Sequence, residues 1–567
     1  MVLEGKNSIL LRMLIAVVLI FCFVMMENPS LISRFADINI QTFYLGKSIV
    51  FVLSYFALFV ALVLLSLSVS FWKYVFVIIL VISTLYVDIF YRASGKVMEY
   101  IDFIILYQSK NNLFDALSMY STEIAKSLFR SILLLLGFVI MPSMELSGCF
   151  RQVSTEGVSS LSNTLLRWGG VGIICLLIVF STVVCIYRQG AATNKLPSTI
   201  NPPALALAFL YDSLINPHPA FSYTTELKPF AKSQFTHIVL IVDESLRSDY
   251  SPFRRIKIPC SSALKVLDYG SAFSAGNCSH TSNIALRKGF RSTEMANDFY
   301  SNAFIWSYAK NAGFITYLFD AQSGGMGHDF FTQDELKLVD HNISNTSILQ
   351  DLDILQSLDY LDDVQRSFTY IIKKGSHFPY RAPQSFIDSA SKMQLDSYTL
   401  SHKQRLLYLA NVQYQSDEFF KALLAREYKQ KVLFIYTSDH GQNLFDVPGL
   451  THCTSSGEPY FGEGQVPLVI LSNGDISRLG MHLEENYNRA SHFNIVPTIL
   501  EAMGYDVQSL LYIGTDSPLT EKIQPINGFF YGIPFSNFGK EPFFYRSENQ
   551  AKTHSIMTLG TNVPNCK

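Results

Sequence analysis

Two kinds of hydrophobic patterning divide this chain of 567 residues. In residues 1–190 the apolar positions form long, nearly unbroken runs, and from Phe235 onward they form short runs set between helical patterns. Five of the long runs approach the roughly 20 apolar residues a helix needs to cross a bilayer. They are Ile9–Met26, Ile49–Phe71, Tyr74–Tyr91, Ala125–Met141 and Trp168–Tyr187. No small-residue cleavage site appears in "FCFVMMENPS", so the first run reads as a retained anchor rather than a signal peptide. Five spans would place the two ends of the chain on opposite sides of a membrane. Lys and Arg are spread over both sets of loops, so charge does not orient the bundle.

Residues 191–234 are rich in Pro, Asn and Gly and read as a connector, with an interfacial helix expected at Ala204–Leu214. Beyond it, residues 235–567 are long enough to form a substantial core. The runs Thr236–Ser245, Ile315–Phe319, Arg366–Ser376, Lys431–Gly441 and Val466–Ser472 are continuously apolar instead of alternating. Strands covered on both faces have that pattern, which predicts a mostly parallel central sheet flanked by helices. Lys403–Gln430 is the clearest helix between the strands. The expected architecture is a five-span helical transmembrane domain over 1–190, a connector, and an α/β domain over 235–567.

Composition adds little to this division. The net charge of -2 gives no sign of a nucleic-acid partner. Of eight cysteines, Cys260, Cys278, Cys453 and Cys566 belong to the second part, enough for two disulfides in an oxidising compartment.

Ligands of an open α/β sheet collect beyond the carboxyl ends of its strands. Three apolar runs end in metal-ligand chemistry there: Glu244 after Asp243, His377 in "KGSHFPY", and the pair Asp439-His440. His452 follows in "PGLTHCTSSG". Taken singly, Asp-His-Gly is a turn signature and Glu244 a helix cap, but their shared placement points to one site. Carboxylates and imidazoles without thiolates suit zinc or manganese. A hydroxyl-rich stretch, "AGNCSHTSNIALRKGF", precedes a helical pattern, and Ser279, Thr281 and Ser282 each have the chemistry of a nucleophile or of a helix cap.

In order and spacing, "VDES", "TS", "GSH", "SDHG", a later His and "VPLVIL" behind five apolar runs resemble the membrane-bound phosphoethanolamine transferases of the alkaline phosphatase superfamily. The resemblance extends to "YLANVQYQSDEFF", similar to a Tyr-x-Asn helix of that family. It implies that Glu244, Thr281, Asp439 and His440 hold zinc, with Thr281 as nucleophile, and that His377 and His452 contact the phosphoryl group or a second zinc. Phosphatidylethanolamine would be the donor, and lipid A or another envelope glycan the acceptor. The enzyme would sit in a bacterial inner membrane with its second domain in the periplasm. Asn112, Glu123 and Ser282 are the remaining substrate-binding candidates. The chain departs from the pattern in three places. No second Cys follows the nucleophile, so Cys278 is expected to pair with Cys260 or stay free. Gln442 stands where Glu is usual, and Tyr120 where the family has an acid, with Glu123 the nearest acid. A phosphoglycerol transferase and a non-catalytic envelope scaffold are the competing readings.

Overall fold

The structure, a computed structural model, describes the chain apart from residues 1, 28–30, 33, 36–44, 69–70, 95–96, 109–120, 142–158, 189, 191–195, 216–219, 323–328, 330, 345–349, 378–379, 393–399, 445, 448–449, 456, 507–514, 533–541 and 548–567. It divides into two compact units, Met1–Pro217 and His218–Lys567. The expected connector is thus shared between them.

The first unit is helical, with α1 (Val2–Met25), α2 (Leu45–Leu67), α3 (Trp72–Ser94), α4 (Tyr100–Gln108), α5 (Ser121–Ile140), α6 (Ser159–Tyr187) and α7 (Asn201–Ile215). Among the described residues, three stretches are long and apolar enough to cross a membrane: Gly46–Leu67, Trp72–Arg92 and Trp168–Tyr187. These are the second, third and fifth expected spans. The first is represented by a shorter apolar stretch, Leu10–Met25. The fourth lies in α5, whose first half carries Glu123, Lys126 and Arg130. Two ion pairs are buried among the described residues of this unit: Arg130 donates to Asp88 at 2.8 Å and Arg34 to Glu27 at 2.6 Å. The expected interfacial helix falls in α7, which buries Ala204, Leu205 and Ala208 and exposes Leu207, Leu210 and Leu214.

The second unit is built on a seven-stranded sheet of order β2-β7-β6-β1-β5-β3-β4. Its strands are β1 (His237–Asp243), β2 (Lys265–Phe273), β3 (Ile315–Asp320), β4 (His341–Ser344), β5 (Ser367–Ile372), β6 (Val432–Ser438) and β7 (Gln465–Ser472). β1, β3, β4, β5 and β6 run parallel, whereas β7 is antiparallel to both β6 and β2. Every residue of β1, β5 and β6 is buried. That accounts for their unbroken apolar sequence, and each such aliphatic side chain contributes roughly 1.5–3 kcal/mol on burial. Alternate β1 residues face opposite layers. Ile238, Leu240 and Val242 pack in a core with Phe304 and Trp306, while Val239 and Ile241 pack with Tyr408 and Phe419.

Two helices of this unit position the site. α8 (Ser279–Lys288) follows β2. The helix expected at Lys403–Gln430 is α9 (Leu400–Val412), which passes through one π-helical turn, Gln413–Asp417, into α10 (Glu418–Ala425). The wide turn delivers Ser416 to the carboxyl end of β1, where its hydroxyl donates to Asp243 Oδ2 at 2.6 Å.

Candidate active site

β1 and β6 are neighbours in register, with Asp243 opposite Ser438. The next residue of each strand, Glu244 and Asp439, therefore emerges at the same edge, and His440 follows. The three side chains are buried, and their nearest ligand atoms all lie within 4.8 Å of one another. His440 Nε2 is 3.7 Å from Glu244 Oε1 and 3.4 Å from Asp439 Oδ2. A metal with bonds of about 2 Å holds its donors at comparable separations.

The hydrogen bonds around the three residues show which atoms are committed. Asp439 Oδ1 accepts from the Ser245 amide at 2.8 Å and the His440 amide at 2.7 Å. Its Oδ2 is buried with no hydrogen-bond partner. Glu244 accepts from the Ser245 hydroxyl and from Gln322 Nε2, both at 2.8 Å. His440 Nδ1 lies 2.7 Å from the Gly441 carbonyl. A carbonyl only accepts, so Nδ1 carries the proton and the Nε2 lone pair faces the carboxylates. Burial, with Glu244 alongside, pushes the Asp439 carboxyl up to about 8. Burial likewise raises Glu244. Two buried carboxylates, an orphaned oxygen and an imidazole lone pair converge on one point, and a divalent cation satisfies all of them.

Local backbone geometry is adapted to this cluster. Ser245 adopts a positive φ of 57°, which turns both its amide and its hydroxyl back toward the carboxylates. Gly375 has φ +55°, and a Cβ there would lie 2.5 Å from Asp243 Oδ1 and from the Glu244 amide nitrogen. Only glycine fits that approach. Beneath Glu244, Asp243 Oδ2 accepts from Lys373 Nζ at 2.7 Å and Tyr436 Oη at 2.9 Å. The Lys373 carbonyl accepts from the same Gln322 amide that holds Glu244.

The three hydroxyls of α8 are placed differently. Ser279 is the first residue of the helix, and its Oγ is 3.2 Å from His440 Nε2. Ser282 is fully buried and clamps the preceding turn, accepting from the Gly276 amide at 3.0 Å and donating to the Gly276 carbonyl at 2.9 Å. It fastens the helix to the turn that precedes it. Thr281 is buried with its methyl against Gly276, where a Cβ would approach Thr281 Cγ2 to 2.5 Å. No hydrogen bond joins the Thr281 hydroxyl to the metal-ligand cluster among the described residues.

The two further histidines converge on the cluster. His452 stacks on His440, with ring centroids 4.6 Å apart, and His377 lies 6.4 Å from His452. Burial and the two neighbouring imidazoles hold His452 far below the usual histidine range, so it is neutral. Asn112 lies outside the described residues, and of Glu123 only the backbone, within α5, is described.

The expected pairing of Cys278 with Cys260 is not found. Cys278 bonds to Cys453, and Cys260 is disulfide-bonded elsewhere. The reason is spatial: the Cys453 amide donates to the Asn277 carbonyl at 2.9 Å, and Asn277 Nδ2 donates to Glu463 at 2.8 Å. The loop bearing His452 therefore lies against the turn that opens α8. His492, absent from the sequence-derived candidates, stands behind β6 with Nε2 3.1 Å from Thr437 Oγ1, pushed down to about 3 by burial. It follows no apolar strand, so the strand-end criterion passes over it.

Residues 236–505, which carry this metal-ligand cluster and the start of α8, match the family model described as Sulfatase. The chain is similar in fold to the integral membrane lipooligosaccharide phosphoethanolamine transferase A of Neisseria meningitidis, at 14% identity and TM-score 0.56, covering 87% of this chain and 97% of that one. The chain also matches the C-terminal periplasmic domain of EcEptC from Escherichia coli, solved in complex with zinc (14% identity, TM-score 0.44, 58% of this chain and 96% of that one). A further match is the corresponding domain of the Campylobacter jejuni phosphoethanolamine transferase EptC (18% identity, TM-score 0.40, 54% and 100%). No curated protein sequence matches the chain.

Proposed function

We propose that the protein transfers phosphoethanolamine from phosphatidylethanolamine to lipid A or another envelope glycan, through a covalent intermediate on a hydroxyl of the α8 first turn. The reading places it in a bacterial inner membrane with its second unit in the periplasm. One observation carries it: the buried Glu244–Asp439–His440 cluster, with its orphaned Asp439 Oδ2, beside the hydroxyl-bearing start of α8.

Glu244, Asp439 and His440 would hold zinc, or manganese, and the bound ion would lower the pKa of the attacking hydroxyl and polarise the phosphoryl oxygens. The chain's own residues do the rest. The α8 N-terminus presents backbone N–H groups to an anionic phosphoryl group. The nucleophile's oxygen bonds to phosphorus as its proton departs. The bond from phosphorus to the diacylglycerol oxygen breaks, and the electron pair stays on that oxygen, which takes up a proton. His452, neutral and stacked on His440, is placed to move protons at this edge, with His377 behind it. In the second half an acceptor oxygen displaces the serine or threonine oxygen by the reverse sequence.

Headgroup-labelled lipids test the reading. The purified full chain with zinc should release diacylglycerol from phosphatidylethanolamine and gain a phosphoethanolamine mass. Release from phosphatidylglycerol with a phosphoglycerol mass would replace this donor by the other, and zinc-loaded protein inert toward both would overturn the reading.

A further inference from the structure

We propose that Ser279, and not Thr281, is the nucleophile. The proposal deepens the transferase reading above and rests on it.

Two different residues sit beside the two half-cystines of the Cys278–Cys453 bond: Ser279 follows the first, and His452 precedes the second. Both meet at His440. The Ser279 hydroxyl donates to the His440 Nε2 lone pair at 3.2 Å, and the His452 ring stacks on the His440 ring. Nε2 is also the atom that faces Glu244 Oε1 and Asp439 Oδ2. The Ser279 oxygen therefore stands in the same small volume as the three ligand atoms, where an attacking oxygen has to be.

Helix geometry separates Thr281 from that point, and hydrogen bonds hold Ser282 away from it. Each residue turns an α-helix by about 100°, so Thr281 projects about 200° around α8 from Ser279. Its methyl group fills the space over Gly276, next to the Phe530 carbonyl, which would lie 3.3 Å from a Cβ at Gly276. Ser282 is occupied twice by the Gly276 backbone and is fully buried. Ser279 is only half-buried. It is the one hydroxyl of the three that is bonded to the cluster and also open to a substrate.

Ser279 Oγ loses its proton and bonds to phosphorus, giving a phosphodiester of serine. The bond from phosphorus to the leaving oxygen breaks, the pair stays on that oxygen, and a proton is taken up there. Transfer to the acceptor hydroxyl reverses each change and restores the Ser279 hydroxyl.

The test uses the zinc-loaded full chain and two probes, phosphatidylethanolamine and the generic phosphodiester bis(4-nitrophenyl) phosphate, with acid quench and mass-spectrometric mapping of the modified residue. The wild type should carry its adduct on Ser279. T281V should keep it, S279T should carry it on the new threonine, and S279A should lose it while retaining zinc. Phosphodiester turnover should fall at least about a thousandfold in S279A and less than about tenfold in T281V. Zinc content shows which variants have folded. An adduct mapped to Thr281, one that survives in S279A, or none from either probe overturns the assignment. Labelling of Ser279 by the generic phosphodiester alone upholds Ser279 and removes the phosphatidylethanolamine reading instead.

Discussion

Zinc binding should release protons, and the amount follows from Asp439. Burial and the neighbouring Glu244 push its carboxyl up to about 8 in the metal-free protein. At about pH 7 a carboxyl of that pKa is about nine-tenths protonated, and at about pH 8 it is half protonated. A metal ligates only the deprotonated form, so loading zinc at about pH 7 should release about 0.9 proton from this residue, and more with Glu244, which burial also raises. Below about pH 8 the affinity should then rise about tenfold per pH unit from Asp439 alone. The same shift governs stability. The folded-state pKa lies above the unfolded value, so the contribution of Asp439 to metal-free stability is complete below about pH 4 and is lost as pH rises through about 8. Zinc should abolish that decline. Isothermal titration of zinc into the metal-free chain, in two buffers of different ionisation enthalpy, measures the protons directly. Asp439→Asn should remove most of the release. Zinc binding between about pH 6 and 8 with no proton release, or release unchanged in the Asn variant, would refute the reasoning.

Three further outcomes are expected. Gln322→Ala removes the amide that ties Glu244 to the Lys373 carbonyl and should weaken zinc binding about 10–100-fold, read by competition with a chelating dye. Lys373→Met leaves Asp243 buried without its cation and should lower stability by about 3–5 kcal/mol in denaturant titration; a change under about 1 kcal/mol would contradict the pairing. Replacing both Cys278 and Cys453 by Ser opens a bond between residues 175 apart and should lower stability by about 2–5 kcal/mol, with zinc affinity changing less than turnover because neither cysteine belongs to the ligand cluster.

Continuous apolar runs revealed β1, β3, β5, β6 and β7 because strands buried on both faces need no polar alternation. They did not reveal direction. β7 is as apolar as its parallel neighbours, and only the paired register shows that it runs the other way. β2 escaped notice because Asp268, Gly270 and Ser271 interrupt it at a β-bulge on the sheet edge. In the candidate site, the clustering of Glu244, Asp439 and His440 was legible because strand ends deliver them. The choice among hydroxyls was not. Three of them occur within four residues, and which one faces the cluster depends on the residue at which the helix begins. The Cys278–Cys453 pair was hidden for a related reason, since connectivity depends on which loops the fold brings together.

That bond spans β3, β4, β5 and β6 in sequence, and β6 lies beside β1 in the sheet. Cys453 follows β6 and Cys278 follows β2, so the bond fastens the loop beyond one strand to the turn beyond another. Ser279 and His452, each next to a half-cystine, are thereby tethered to each other independently of the strands between them. A chain with the bond closed keeps these two residues close even when those strands loosen, whereas a reduced chain relies on strand packing alone. A thiol-alkylation assay on newly made protein would report which molecules carry this tether.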